Sequence, residues 1–418
     1  MFHGFLYPQF EPTSSILIEN HTLLDHDMHM ISGYFDWAAT TMMSERALDA
    51  YHDAARHCIG NPSAAHALGR QAATMLQDMR EKTASLLDID VKSVVYTSGG
   101  TEANSIAILS QLWRRSPKRV IFSSLEHAAV SQHKRLLETM GFEVVVAPSI
   151  NGYLDVDKFR SLLSDDVQLV CVMLANNVVG TVQDIPALVS CVREHEKLSG
   201  RRIHFHCDAV QMIGKKDLKL STLDIDSAAM SAHKFQGPRG VGLLYAPSGS
   251  LESLSKGGGQ EHGLRGGTEN IAGIVAMNTA LEDIRENIHQ DAQHVLHLRK
   301  LLEDQLYATR GIMPVSPRVD DGKDILNSVM AISIPAFPSE VTTRILSDNK
   351  LYVSSGSACS NNAKRQHNRQ LVDFGYPAHM ANHLIRISFG PSTTEEECDR
   401  LISCLRHIAS GNITNVMR

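Results

Sequence analysis

"VVYTSGGTEANSIAILSQLW", residues 94–113, decides the fold of this chain. "VVYT" is a short, continuous apolar run, the pattern of a strand buried on both faces. "TEANSIAILSQLW" spaces its apolar residues as one face of a helix. Between them "SGG" forms a turn. Strand, glycine turn and helix together make half of a βαβ unit. Glycines let the backbone approach a ligand closely, and the first N–H groups of a helix favour an anion such as phosphate. Many such turns carry Gly, Ser and Thr, so the turn alone leaves phosphate binding open.

The alternation continues outward in both directions. Upstream, "SERALDAYHDAARH" and "AAHALGRQAATMLQDMREKTASLL" read as helices. Downstream come a strand at "RVIFSS", a helix over 127–140, strands at "FEVVVAP" and "VQLVCVML", a helix over 185–198 and a strand at "RIHFHCD". Strands and helices in turn predict an α/β domain with a mostly parallel sheet. Ligands of such sheets bind beyond the C-terminal strand ends. A long helical pattern over 269–309 leads out of this domain, and the mixed strands and helices beyond it predict a smaller α+β domain. The expected organisation is an N-terminal arm over 1–45 that joins the small domain, a large domain over 46–290 and a small domain over 291–418. "SSILIE" near the start reads as a strand or part of the arm.

Composition bounds the function. The chain has 418 residues, 43% of them hydrophobic and 21% charged, with a net charge of −6. That is an ordinary globular composition, and the charge argues against direct nucleic-acid binding. No apolar run approaches the roughly 20 residues of a membrane span, and no secretory signal is evident. Seven cysteines, at 58, 171, 191, 207, 359, 398 and 404, are odd in number and lack a CxxC pair. They read as reduced thiols of a cytoplasmic protein. The 21 histidines show no HExxH or paired Cys/His spacing, so no metal site is expected.

Four polar stretches follow the strands. "TSGGTEAN" (97–104) is the turn described above. "CDAVQ" (207–211) puts Asp208 at a strand end, where a carboxylate could hold a metal, a ribose or a protonated ring nitrogen, or simply cap a helix. "SAHKFQGPRG" (231–240) contains Lys234, either a surface lysine or a Schiff-base lysine, which attacks a carbonyl only as the neutral amine. "GLRGGTEN" (263–270) suits an anion or any loop. A fifth stretch, "SSGSACSNN" (354–362), sets Cys359 among small polar residues, where a thiol has no core to fill.

In this order the stretches resemble the pyridoxal-phosphate enzymes of the aspartate-aminotransferase fold (fold type I), and within them the class V group and its cysteine desulfurases. "YFDWAATT" (34–41), "GNPSAAHALGR" (60–70), "LEHAAV" (125–130), "NGYLD" (151–155), "RGGTEN" (265–270) and "SSGSAC" (354–359) all match in order, over most of the chain. The resemblance implies pyridoxal phosphate as cofactor and Lys234 as its covalent anchor. It implies that Ser231, His233, Gly100 and Thr101 hold the phosphate, with Thr268 reaching the partner subunit's phosphate in a homodimer. Asp208 would pair with the ring nitrogen, Gln211 and Asn177 would meet the ring hydroxyl, and His127 would stack on the ring. Arg386, with Asn177 nearby, would bind the carboxylate of L-cysteine. Cys359 would be the nucleophile: its thiolate takes the substrate sulfur as a persulfide, alanine leaves, and an acceptor protein collects the sulfur. The "SSGSAC" form resembles the longer-loop branch of the family.

The chain departs from the family pattern at Val178, where Glu is common, and at Ala232, where Gly is common. The segment after Cys359 is unusually polar and the N-terminal extension long. These departures bear on the acceptor, which iron–sulfur assembly, tRNA thiolation and DNA sulfur modification could each supply. The competing reading is a selenocysteine lyase or another class V lyase or aminotransferase, though an aminotransferase needs no loop cysteine. A scaffold without chemistry has no need of Lys234, Asp208, His127 and Cys359 together.

Overall fold

The computed structural model describes residues 31–114, 119–247, 249, 251–355 and 371–412. Helices α1 (Glu45–His57) and α2 (Ala67–Leu87) precede the first strand. Ser44 caps α1 by accepting from the Ala47 amide, with Glu45 in the first turn and Arg56 and His57 in the last. Strand β1 (Val94–Thr97) leads through the glycine turn into α3 (Gly100–Leu109). The helix read over 101–113 therefore ends early, tightening into a 3-10 turn over Ser110–Trp113. After β2 (Arg119–Ser123), the helix read over 127–140 is two pieces, α4 (Ala128–Ser131) and α5 (His133–Thr139). Gln132 between them keeps helical φ and ψ of −70° and −16°, so the interruption does not turn the chain.

The series continues with β3 (Glu143–Ala147), a hairpin of β4 (Ser149–Ile150) and β5 (Tyr153–Leu154), α6 (Val156–Ser161), β6 (Val167–Met173), α7 (Ile185–Ser199), β7 (His204–Asp208), β8 (Ser227–Ser231) and β9 (Gly242–Tyr245). Seven strands form one sheet in the order β1-β9-β8-β7-β6-β2-β3. Only β9 runs against its neighbours, β1 and β8. Every residue of β6 is buried, as expected of a central parallel strand. At the edge, β3 leaves Glu143 and Val146 exposed.

The 37-residue helix α8 (Ile271–Tyr307) is about 55 Å long at 1.5 Å per residue. Its first turns, including Ile274, Met277 and Leu281, join the core under the large sheet. Its last turns, including Leu298, Leu302 and Leu306, join a second core. That core lies under a four-stranded antiparallel sheet, β10-β11-β13-β12, of β10 (Met313–Pro314), β11 (Val329–Ser333), β12 (Ser354–Ser355) and β13 (Leu384–Ser388). Arg299 of α8 is fully buried, paired with Glu303 and donating to the Val329 and Pro317 carbonyls, which fastens the helix to this sheet. The 34–37 segment bridges the same sheet through Tyr34–Tyr352 and Asp36–Ser388. Among the described residues no helix is long and apolar enough to cross a membrane.

Candidate active site

The C-terminal ends of β1, β7 and β8 open into one cavity of about 520 Å³. It is lined by Gly100, Thr101, His127, Asn177, Asp208, Gln211, Ser231, His233, Lys234 and Arg386, residues from across the chain that the sequence had singled out. Thr268 does not line it and is exposed. The loop before Thr268 touches the rim, where Arg265 meets Glu102 at 3.4 Å. Cys359 lies outside the described residues.

The glycine turn is built for close approach. Gly99 has φ +154° and ψ −179°, a conformation essentially reserved for glycine. A Cβ on Gly242 of β9 would come within 2.5 Å of the Gly99 Cα, so backbone packs directly on backbone here. The first amides of α3 have no carbonyl one turn behind them and lie at the cavity with Ser231 and His233. His233 donates to or accepts from Thr40 Oγ1 at 3.1 Å, and burial with the Lys234 charge pushes its imidazole down to about 4. Its role at neutral pH is therefore that of a neutral hydrogen-bonding ring.

Asp208 ends β7 and is almost fully buried. Its Oδ2 accepts from Asn104 Nδ2 at 2.8 Å and its Oδ1 from the Val210 amide at 3.0 Å. A carboxylate has about four acceptor sites, so capacity is left on the cavity side. Lys234 Nζ donates to the carbonyls of Ala38 and Ala39 at 2.7 and 2.6 Å. Gln211 Nε2 donates to the same Ala38 carbonyl at 2.9 Å. Its Oε1 accepts from Lys215 at 3.3 Å, a lysine that burial and the Lys234 charge pull down to about 7. His127 caps α4, its Nδ1 accepting from the Ala129 amide at 3.1 Å, so the neutral ring carries its proton on Nε2.

Arg386 is buried on β13. Its Nη2 meets Asp36 at 2.5 Å and its Nη1 donates to the Asn177 carbonyl at 3.2 Å. Arg386 Nε and Asn177 Oδ1 are buried with no hydrogen-bond partner among the described residues. Groups of this kind are costly to leave unmet, and both belong to residues that line the cavity.

Asp36, Asn104, Glu126 and the carbonyls of Ala38 and Ala39 were not assigned roles from the sequence. Glu126 is buried beside His127, accepting from Ser123 Oγ and the Met173 amide at 2.5 and 2.6 Å. Burial raises its carboxyl to about 8, against the lowering by Ser123 and with help from the Asp208 charge. The readable signal for Asn104 and its neighbours was the alternation His204, His206, Asp208 along one strand, which puts all three on one face.

The site suits pyridoxal phosphate. The helix start with its glycine cradle fits a phosphate. Asp208 fits a protonated ring nitrogen, the unmet Asn177 Oδ1 a hydroxyl group, and Lys234 an aldehyde carbon. Comparison with known proteins agrees. The model of the family described as "Aminotransferase class-V" matches residues 33–401. A cysteine desulfurase IscS of Neisseria meningitidis is 36% identical over 371 residues, covering 87% of this chain and 89% of that protein. The solved structure of a NifS-like protein superposes with a TM-score of 0.82 at 32% identity, covering 91% of this chain and 99% of that one. A second structure, SspA in complex with cysteine, gives a TM-score of 0.71 at 28% identity over 87% of this chain and all of its own. The chain belongs to the class-V aminotransferase family, and within it to the pyridoxal-phosphate-dependent cysteine desulfurases.

Proposed function

We propose that this desulfurase takes the sulfur of L-cysteine onto Cys359 and hands it to a sulfur-acceptor protein. The observation that carries the reading is the single cavity joining Lys234, Asp208, His127 and Arg386. SspA, a structural relative, is solved with cysteine bound. Bound pyridoxal phosphate supplies an electron sink for the substrate Cα. Gly100, Thr101, Ser231 and His233 would hold its phosphate, Asp208 its ring nitrogen, and Gln211 and Asn177 its ring hydroxyl. His127, on the cavity wall, would pack against the ring.

Arg386 binds the substrate carboxylate, which competes with Asp36 for the guanidinium. Lys234 Nζ would be the base that receives the substrate Cα proton. The Cys359 thiolate then attacks the substrate sulfur. An S–S bond forms as the Cβ–S bond breaks, the electron pair stays on the carbon side, and protonation there gives alanine. Strand β12 ends at Ser355, paired with β13 next to Arg386. Cys359 follows four residues later, and a tether of that length reaches at most about 14 Å.

Steady-state alanine release from L-cysteine tests this reading. The wild type releases alanine. Arg386→Lys keeps the charge but loses the fork, so kcat/KM falls roughly 10- to 100-fold, mostly through KM. No alanine release from the wild type loaded with pyridoxal phosphate, or an unchanged KM in R386K, contradicts it.

The protein works as a homodimer. Leu48 and Tyr51 of α1, Ile59 and Leu68 are exposed, Ile59 at 72%, and Leu48 and Tyr51 lie three apart on one helix face. Thr268, on the exposed side of its loop, serves the partner's phosphate. Ile59→Asp is expected to shift sedimentation from dimer towards monomer and to weaken cofactor retention; a wild type that sediments as a monomer argues against this. The free thiols of the described cysteines suit a reducing, cytoplasmic setting. The acceptor is a protein of iron–sulfur assembly, tRNA thiolation or DNA sulfur modification.

A further inference from the structure

From Asp208 a buried row of polar side chains runs through Asn104, at the cavity wall, into the sheet. Asn104 Oδ1 lies 2.7 Å from His206 Nε2. His206 Nδ1 lies 2.7 Å from Ser227 Oγ, and Ser227 Oγ lies 2.8 Å from His204 Nε2. His206, Ser227 and Asn104 have no exposed surface, and His204 has 2%. Burial pushes His206 down to about 3 and His204 to about 4, so both rings are neutral in ordinary buffers.

The direction of every bond in the row follows from its last member. As a carboxylate, Asp208 only accepts, so Asn104 must turn its Nδ2 amide towards it and its Oδ1 away. That Oδ1 needs a donor, which fixes the His206 proton on Nε2 and leaves Nδ1 bare. Ser227 must then donate to Nδ1, and its lone pair takes the Nε2 proton of His204. The alternative His206 tautomer would set two acceptors face to face, or flip Asn104 and set its oxygen against Asp208.

We infer that His204, Ser227, His206 and Asn104 form a one-way hydrogen-bond relay that positions the Asp208 carboxylate for the cofactor's ring nitrogen. The inference rests on the cofactor reading above. His206 and Asn104 are positioning residues that act through Asp208. The register of the sheet serves the relay: Ser227 of β8 pairs with His206 of β7, which places the hydroxyl between the two rings. The charged and titratable groups around the row are Glu126 with the raised thiols of Cys171 and Cys207 near Asp208, His133 near His206, and Asp226, Arg114, Arg193 and Arg202 near His204.

The test compares His206→Phe, His206→Gln and Ser227→Ala as full-length proteins loaded with pyridoxal phosphate. Glutamine can place an amide donor where the imidazole Nε2–H sits, whereas phenylalanine cannot. Cofactor affinity, measured by equilibrium titration, is expected to fall about tenfold in H206F, the cost of leaving a buried acceptor unmet. The midpoint of the pH-dependent visible absorption should move by about one pH unit, an equivalent change. H206Q should recover most of both. If H206F does not fold, S227A carries the same test, since it removes the donor that fixes the tautomer and adds no bulk. Wild-type affinity and midpoint in H206F, or in S227A where H206F is unfolded, overturns the relay, as does an H206Q no better than H206F. A wild type without a visible cofactor band fails the cofactor reading instead.

Discussion

Lys234→Ala is expected to abolish alanine release from L-cysteine, by more than about a thousandfold, while the protein folds. On the proposed reading two separate losses combine in this variant: the covalent anchor of the cofactor and the base for the substrate Cα proton. General-base catalysis alone contributes about 10²–10⁴-fold. The fold is expected to survive because Lys234 is half-buried at the cavity wall, with its Nζ donating to two backbone carbonyls. Those carbonyls, of Ala38 and Ala39, belong to a segment that also bridges the small sheet at Asp36–Ser388. The amine is thus held by the part of the chain that ties the two sheets together. Visible absorption and alanine release measured together check the result. A K234A protein that keeps the wild-type band and turns over at more than about a tenth of the wild-type rate would show that another amine does this work.

Cys359→Ala is expected to lose turnover almost completely and to keep the cofactor band. A methyl group cannot accept sulfur, and among the described residues that line the cavity none is a cysteine. Of the other cysteines, Cys171 and Cys207 are fully buried in the sheet, with thiols raised well above the ordinary value mainly by burial. Cys398 and Cys404 are packed in the second core and raised to about 12 and about 11 by burial. A thiol in that state offers almost no thiolate at neutral pH. Alanine release and the absorption spectrum of C359A, measured side by side, separate loss of the nucleophile from loss of the cofactor. Turnover comparable to the wild type would make the loop cysteine idle.

The alternation of strand and helix was readable because each element carries its own period. The run "VQLVCVML" is a strand on composition alone, and it is the fully buried β6. Most of the cavity residues were readable because they sit in short polar stretches directly after apolar strands, the place where an α/β sheet presents its ligand site, whereas Arg386 lies inside β13 and was named through the resemblance alone. What resisted reading is non-local. The insertion of β9 between β1 and β8 pairs Thr97 with Gly242 and Ser231 with the same glycine, and nothing in either strand states that partner. Asn104 meets His206 across 102 residues, and Arg386 meets Asp36 across 350. Side-chain identity shows that a donor or acceptor exists; only the folded chain shows where it is spent. The break at Gln132 escaped for a different reason, because the apolar spacing around it is helical on both sides.

The most direct test of the central claim is intact-protein and peptide mass spectrometry after a single addition of L-cysteine to the holoprotein, without an added thiol. The expected result is a gain of one sulfur atom on the peptide that carries Cys359, in step with one alanine released per sulfur gained, and no such gain in C359A. Alanine release with the added sulfur on another cysteine, or with no protein-bound sulfur at all, would contradict the account.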